Sequence, residues 1–258
     1  MSKDLGTVYK RENFAQMFRD AEKEDLFHIY LDKPAMHSLL QNLSGKRVLC
    51  LGCGSGEECD YIRSKGAAEV VGIDLSKAMI EYAKRNFEGI DFRVMPLDKL
   101  SFPRKKFDVV YADMSVHYAN SMNKLMENVS RLLSRNGIFI FSTSHPILDI
   151  LVRDPEKGNR NGQHSKLFGY IKKNDKYIMK GDYFSKRVMH THWFDGKYTV
   201  RFHYVPLSEI FEGAKAAGFV LDTLLEPKAP KSMKKVNPEV YERDSKVPMV
   251  ILFKFIKT

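Results

Sequence analysis

Arg47-Val48-Leu49-Cys50-Leu51-Gly52-Cys53-Gly54-Ser55-Gly56 decides the fold. A continuous apolar run of this kind belongs to a parallel strand buried on both faces, and it enters a loop with glycine at every second position. A helix then runs to Gly66, and Glu69-Val70-Val71-Gly72-Ile73-Asp74 returns as a second strand. Ser76 caps the next helix, which buries Met79, Ile80, Ala83 and Phe87 before Gly89 ends it. The β-α-β unit is complete at that point.

Outward from this unit the alternation continues. Upstream, Phe14, Met17, Phe18 and Ala21 form one helical stripe, and a second helix has Asp32 as N-cap, Pro34 in its first turn and Gly45 as its stop. Downstream come strands at Ile90–Val94 and Phe107–Tyr111, a helix at Ser121–Ser134 and a strand at Gly137–Ser142. From Ser144 to Tyr204 the rhythm breaks, and Arg187–Val205 reads as a hairpin about Asp195-Gly196. Ser208 caps a helix carrying Ile210, Phe211, Ala214 and Ala217, Gly218 stops it, and Phe219–Leu225 returns as a strand. Pro227–Lys246, with three prolines, reads as an irregular excursion before a final strand at Val247–Ile256. Such a pattern implies an α/β fold with a mostly parallel sheet covered by helices on both faces.

Of the 258 residues 43% are hydrophobic and 29% charged. The longest apolar run, Val247–Phe253, is of strand length, far short of the roughly 18 residues a membrane helix needs. The first residues, Met1-Ser2-Lys3-Asp4, do not read as a signal peptide, so a cytoplasmic location is expected. Cys50, Cys53 and Cys59 suit neither a disulfide framework nor four-ligand zinc and are expected as reduced thiols. The net charge of +10 favours anionic partners, but the basic residues are dispersed rather than gathered into a nucleic-acid-binding patch.

In an open parallel sheet, ligands bind at the carboxyl ends of the strands, where glycines let the backbone approach closely. Gly52, Gly54 and Gly56 stand there, and Asp74 lies where an acid accepts from both ribose hydroxyls of a nucleoside. A dinucleotide fingerprint would place a further glycine at Glu57, where a carboxylate would oppose a pyrophosphate. A sulfonium nucleoside without phosphate avoids that conflict, which points to S-adenosylmethionine.

Val48–Gly56 resembles the first motif of the class I S-adenosylmethionine-dependent methyltransferases, and Val71–Ser76 resembles the second. Leu97-Asp98, Phe102-Pro103 and Lys106–Val110 resemble the adenine-binding segment and fourth strand, and Asn136–Phe139 the entry to the fifth. The nearest likeness within the superfamily is to small-molecule methylases of the ubiquinone/menaquinone-biosynthesis type. This resemblance implies a Rossmann-like seven-stranded sheet with an antiparallel last strand inserted between the fifth and sixth. It also implies a cofactor-binding core over residues 1–143, a β-containing acceptor-binding cap over 144–206 and a return to the core over 207–258.

Carried over by position, Gly52 and Gly54 would face the methionine part, with Cys53 and Gly56 in the same loop. Asp74 would hold the ribose, Leu75, Met79 and Leu97 the adenine, and Asp98 the adenine amino group. Ala112 would lend its carbonyl to the methionine ammonium, and Tyr30 would close over the site. The family usually carries an acid where this chain has Cys50, a departure worth about 1–3 kcal/mol of cofactor binding if uncompensated.

Methyl transfer needs alignment and, for a protonated acceptor, a base, but no metal. His145, His117 and Tyr118, above the fourth and fifth strands, are the candidate bases. If Asp195-Gly196 is a two-residue turn, His190, His192 and His203 share one hairpin face, read here as lining an acceptor pocket in preference to holding a metal. A small-molecule acceptor is the leading expectation. RNA methylation is opposed by the absence of an Asn/Asp-Pro-Pro-aromatic tetrad in Ala112–Tyr118. A cofactor-binding regulatory protein without turnover stays open through Cys50.

Overall fold

The described residues of the computed structural model are 14–102, 106–149, 169–173, 176–180, 183–184, 187–193 and 197–258. In chain order they form α1 (Phe14–Glu22), a π turn (His28–Asp32) running into α2 (Lys33–Leu39), β1 (Arg47–Leu51), α3 (Glu57–Ser64), β2 (Glu69–Asp74), α4 (Lys77–Asn86) and β3 (Asp91–Val94). Then come β4 (Phe107–Ala112), α5 (Met122–Leu132), β5 (Leu133–Ser144), β6 (Gly169–Lys173), β7 (Lys176–Lys180), β8 (Arg187–Trp193) and β9 (Tyr198–Tyr204). The chain closes with α6 (Leu207–Ala216), β10 (Phe219–Leu225), α7 (Lys231–Val236), α8 (Pro238–Asp244) and β11 (Val250–Lys257).

Seven strands form one sheet in the order β10-β11-β5-β4-β1-β2-β3. β1 is parallel to both β2 and β4, which sets Cys50 beside Gly72 and Tyr111. β11 runs antiparallel to β5 and β10, between them, as the resemblance implies. The winding reverses between β1 and β4, so their carboxyl ends open a crevice. Alternate residues of the central strands supply two cores: Leu49, Leu51, Val71, Ile73, Val110 and Ala112 on one face, Val48, Cys50, Val70, Val109 and Tyr111 on the other. Full burial of each such aliphatic side chain contributes about 1.5–3 kcal/mol, which holds the crevice on a rigid floor. Phe141 stacks on its cross-strand partner Phe253 at 5.1 Å and carries the first core across the antiparallel seam.

Caps fix where the helices start. Ser76 Oγ accepts from the Met79 N–H at 3.2 Å, as expected, and Ser121 Oγ from the Lys124 N–H at 3.3 Å. Asp32 makes no side-chain cap and is buried instead, while α2 ends at Leu39 because Leu40 is already extended, well before Gly45. Ser208 lies inside α6, whose N-cap position is Pro206. The stretch expected to be irregular holds α7 and α8. Pro238 occupies the first turn of α8, where its missing N–H is not needed, and Asn237 Oδ1 accepts from the Val240 N–H at 3.0 Å.

β6 pairs with β7 and β8 with β9 as two separate antiparallel hairpins. Trp193 faces Tyr198, the register expected of a turn at Asp195-Gly196, whose own residues lie outside the described ones. Met189, Phe202 and Tyr204 are buried with Tyr118 and Tyr183, and Val200 is buried with Met79, Met17, Phe18 and Tyr82. His190, His192 and His203 share the register face of Val188, which is 44% exposed. That face is opposite the one that carries Met189 and Phe202; the side chains of His190 and His192 lie outside the described residues. No described helix is long and apolar enough to cross a membrane.

Candidate functional site

The loop after β1 turns sharply because its glycines adopt left-handed backbone angles, but they serve different ends. A Cβ on Gly56, at φ +98°, would lie 2.9 Å from both Ala83 and Phe92, so this glycine lets the start of α3 pack on α4 and β3. At Gly52 a Cβ would strike Ser115, whose hydroxyl donates to the Leu51 carbonyl at 2.8 Å. Gly54, at φ +52°, has nothing within 4 Å of its absent Cβ and faces open space. It is the glycine placed for a ligand. Cys53 N–H donates to the Ile73 carbonyl at 2.8 Å, tying the loop to β2.

Asp74 ends β2 beneath this loop. Its Oδ2 accepts from the Gly54 N–H at 3.0 Å and its Oδ1 from the Ser76 N–H at 2.7 Å. A carboxylate offers about four acceptor directions, so capacity remains beyond these N–H groups for a hydroxyl. Burial pushes the Asp74 pKa above the usual carboxylate range, although the N–H groups of Ser76, Gly54 and Leu75 oppose it. Further donors would offset that penalty, as a diol would. Leu75 is exposed beside Asp74, Met79 is buried beneath Val200 and α1, and Leu97 packs on the first core. Asp98 Oδ1 accepts from the Asn120 N–H at 2.9 Å and its other oxygen from the Asn120 side chain, which fastens it to the loop after β4. Tyr30 packs with Leu31, Ala229 and Met233 against α7 and α8.

Ala112 closes β4, and a short 3-10 turn at Val116–Tyr118 follows. His117 is buried, with Nδ1 3.2 Å from Thr143 Oγ1 and its ring 5.2 Å from that of Phe202. Tyr118 lies against the same hairpin. His145 is engaged at both nitrogens: Nδ1 accepts from the Ile147 N–H at 3.1 Å, which leaves Nε2 to donate to Glu226 Oε1 at 2.7 Å. As it stands, it has no lone pair for an acceptor's proton.

Two acids went unnoticed in the sequence as site residues. Asp113, immediately after Ala112, accepts from Ser142 Oγ at 2.9 Å, and Asp32 Oδ2 lies 3.3 Å from His28 Nδ1. The two carboxyl groups lie close enough to act on each other's charge. Burial and the negative Asp32 push the Asp113 pKa well above its usual range. Burial pushes Asp32 the same way, but hydrogen bonds from His28 and Asp113 bring it out below that range. On the same side of the sheet, the carboxylate that is missing at Cys50 has a counterpart on α3: Glu58 Oε2 accepts from the Tyr111 hydroxyl at 2.9 Å and contacts His37 Nε2 at 2.8 Å. Glu57 pairs with Arg19 of α1, whose guanidinium lies 5.5 Å from the centroid of the Tyr82 ring.

A nucleoside with a cationic amino-acid tail fits this donor and acceptor set: open space at Gly54, spare acceptor capacity on Asp74, and beside Ala112 two acids, Asp32 fully buried and Asp113 half-buried. The family described as "Methyltransferase domain" matches residues 49–141. An uncharacterized protein of Haemophilus influenzae is 35% identical over 150 residues, covering 55% of this chain and 59% of its own length. A ubiquinone biosynthesis O-methyltransferase of Bradyrhizobium diazoefficiens is 32% identical over 108 residues, covering 40% of this chain and 42% of its own. The chain thus spans only about half the length of these relatives. A Listeria monocytogenes crystal structure, provisionally described as an S-adenosylmethionine-dependent methyltransferase, superposes with a TM-score of 0.71 at 25% identity, covering 88% of this chain and 96% of its own. Residues 49–141 carry the methyltransferase-domain match, and the seven-stranded sheet around the glycine loop and Asp74 is the fold of the class I S-adenosylmethionine-dependent methyltransferases.

Proposed function

We propose that the chain binds S-adenosylmethionine in the crevice between β1, β2 and β4 and methylates a small-molecule acceptor held under the segment 144–206. The observation that carries this reading is the pairing of Gly54, which faces open space, with Asp74, which keeps acceptor directions free beside it. When bound, the cofactor supplies a methyl group on a cationic sulfur, open to in-line attack by a nucleophilic oxygen, nitrogen or carbon.

Asp74 holds the two ribose hydroxyls, and Leu75, Met79 and Leu97 border the adenine, with Asp98 at its amino edge. The Ala112 carbonyl receives the ammonium. His117 takes the acceptor's proton, its ring oriented by Thr143 and walled by Phe202, with Tyr118 beside it. His145 instead anchors the start of the cap through Ile147 and Glu226. The β8–β9 hairpin excludes water by packing Met189, Phe202 and Tyr204 over Tyr118. The relative named for ubiquinone biosynthesis supports a small-molecule acceptor.

Incubation of the full chain with methyl-labelled cofactor and a cell extract, then fractionation, tests the reading. Label in the small-molecule fraction is expected. Label in RNA or protein overturns the acceptor class, and no protein-dependent label in any fraction overturns the activity.

A further inference from the structure

We propose that Asp32 and Asp113 together form the seat of the cofactor's α-ammonium group and give up their shared proton when it arrives. This rests on the cofactor reading above and adds two residues that stand in for the acid absent at Cys50.

The two carboxyls come from separate elements, Asp32 from the π turn before α2 and Asp113 from the end of β4 next to Ala112. π turns of this kind are frequent at functional sites. Asp32 is completely buried, and its Oδ1 has no conventional hydrogen-bond donor among the described residues. Ser142 Oγ supports Asp113, and by accepting from the Met114 N–H at 2.9 Å it also fixes the backbone beyond β4. The groups facing the pair are His28 and Lys33 from the π turn and α2, Glu58 from α3, and Tyr111 from β4. The cations are already engaged, His28 with Asp32 and Lys33 with Glu22 at 3.0 Å.

Asp32 is fully buried and Asp113 half-buried beside it, so the two do not both carry charge unless a cation lies between them, and without ligand they share one proton. An ammonium brings a positive charge and three donors, enough for Asp32 Oδ1, Asp113 and the Ala112 carbonyl. As it enters, the Asp113 O–H bond breaks and the proton leaves to solvent. The seat ends as two carboxylates around one cation, having released up to one proton per cofactor bound.

Calorimetric titration of the full chain, in two buffers of different ionisation enthalpy, tests this with adenosylhomocysteine and with its deamino analogue, in which hydrogen replaces the amino group. The wild type should release close to one proton with the first and none with the second. Asp113→Asn reproduces the protonated carboxyl in shape and still donates to Asp32, so its melting temperature should hold. It should abolish proton release and weaken adenosylhomocysteine about tenfold to a hundredfold, leaving the deamino analogue unchanged. Asp32→Asn should show the same selectivity. Retained proton release, or equal losses for both ligands, overturns the seat. If the wild type binds neither ligand, the cofactor reading itself fails.

Discussion

Gly54→Ala and Gly56→Ala, two residues apart in one loop, should fail in opposite ways. Both glycines lie in the left-handed region, at φ +52° and +98°, where an alanine costs about 1–2 kcal/mol. At Gly54 the cost ends there, because nothing lies within 4 Å of the added methyl. At Gly56 the methyl meets Ala83 Cβ and Phe92 Cζ at 2.9 Å and Phe87 Cδ2 at 3.1 Å, and such overpacking adds about 1–3 kcal/mol. For a chain of this size 1 kcal/mol moves the melting temperature by about 2–4 °C, so Gly54→Ala should lower it by roughly 2–8 °C and Gly56→Ala by roughly 4–20 °C. Binding should reverse the order. The Gly54 methyl projects into the ligand's space and should weaken adenosylhomocysteine by more than about tenfold, or 1.4 kcal/mol, whereas folded Gly56→Ala should bind within about threefold of wild type. Scanning calorimetry and titration calorimetry read the two effects separately. Wild-type affinity in Gly54→Ala would refute the assignment of the open glycine to the ligand.

His117→Ala should lower turnover by about a hundredfold to ten-thousandfold with cofactor affinity unchanged, measured on the acceptor found by labelling; an equal rate removes it as the base. His145→Ala should instead cost about 1 kcal/mol of stability through its lost bonds to Ile147 and Glu226, seen as a lower midpoint in urea. Ser121→Ala removes the α5 cap and should cost about 1 kcal/mol of stability, read as a lower midpoint in urea. Stability of the ligand-free chain should fall as pH rises from 6 to 8. Burial lowers the His28 pKa, but Asp32, Glu22 and Asp25 raise it on balance, so its contribution is present below the ordinary imidazole value and lost as pH passes the raised one. Asp113 acts in the same sense from the ordinary carboxylate range upward, because the folded chain keeps a proton that the unfolded carboxyl has lost. Asp113→Asn should flatten its share of that slope, and a melting temperature that rises over this span contradicts the assignment.

Local rules made most of the frame legible. The buried run of β1, the glycine loop, the Ser76 and Ser121 caps and Asp74 are each written in a few adjacent residues, and the β8–β9 register followed from its turn signal. What stayed hidden depended on distant partners. Asp32 before Lys33-Pro34 has the look of a helix cap, and only the arrival of Asp113 from the end of β4, beside His28 one turn back, makes it a buried acid. Three prolines suggested an irregular stretch, but prolines at helix starts are compatible with α7 and α8. Nothing local distinguishes Gly54 from Gly56, since what separates them is Phe92 and Ala83, far along the chain. His145 likewise looks like a base until Glu226 is seen beside it.

Titration of adenosylhomocysteine into the wild-type chain and into Asp74→Ala tests the central claim most directly. The wild type should bind one equivalent, and loss of two hydrogen bonds to a buried carboxylate, about 3 kcal/mol, should weaken the variant more than a hundredfold while it stays folded. No binding by the wild type, or the same affinity in both, contradicts the account.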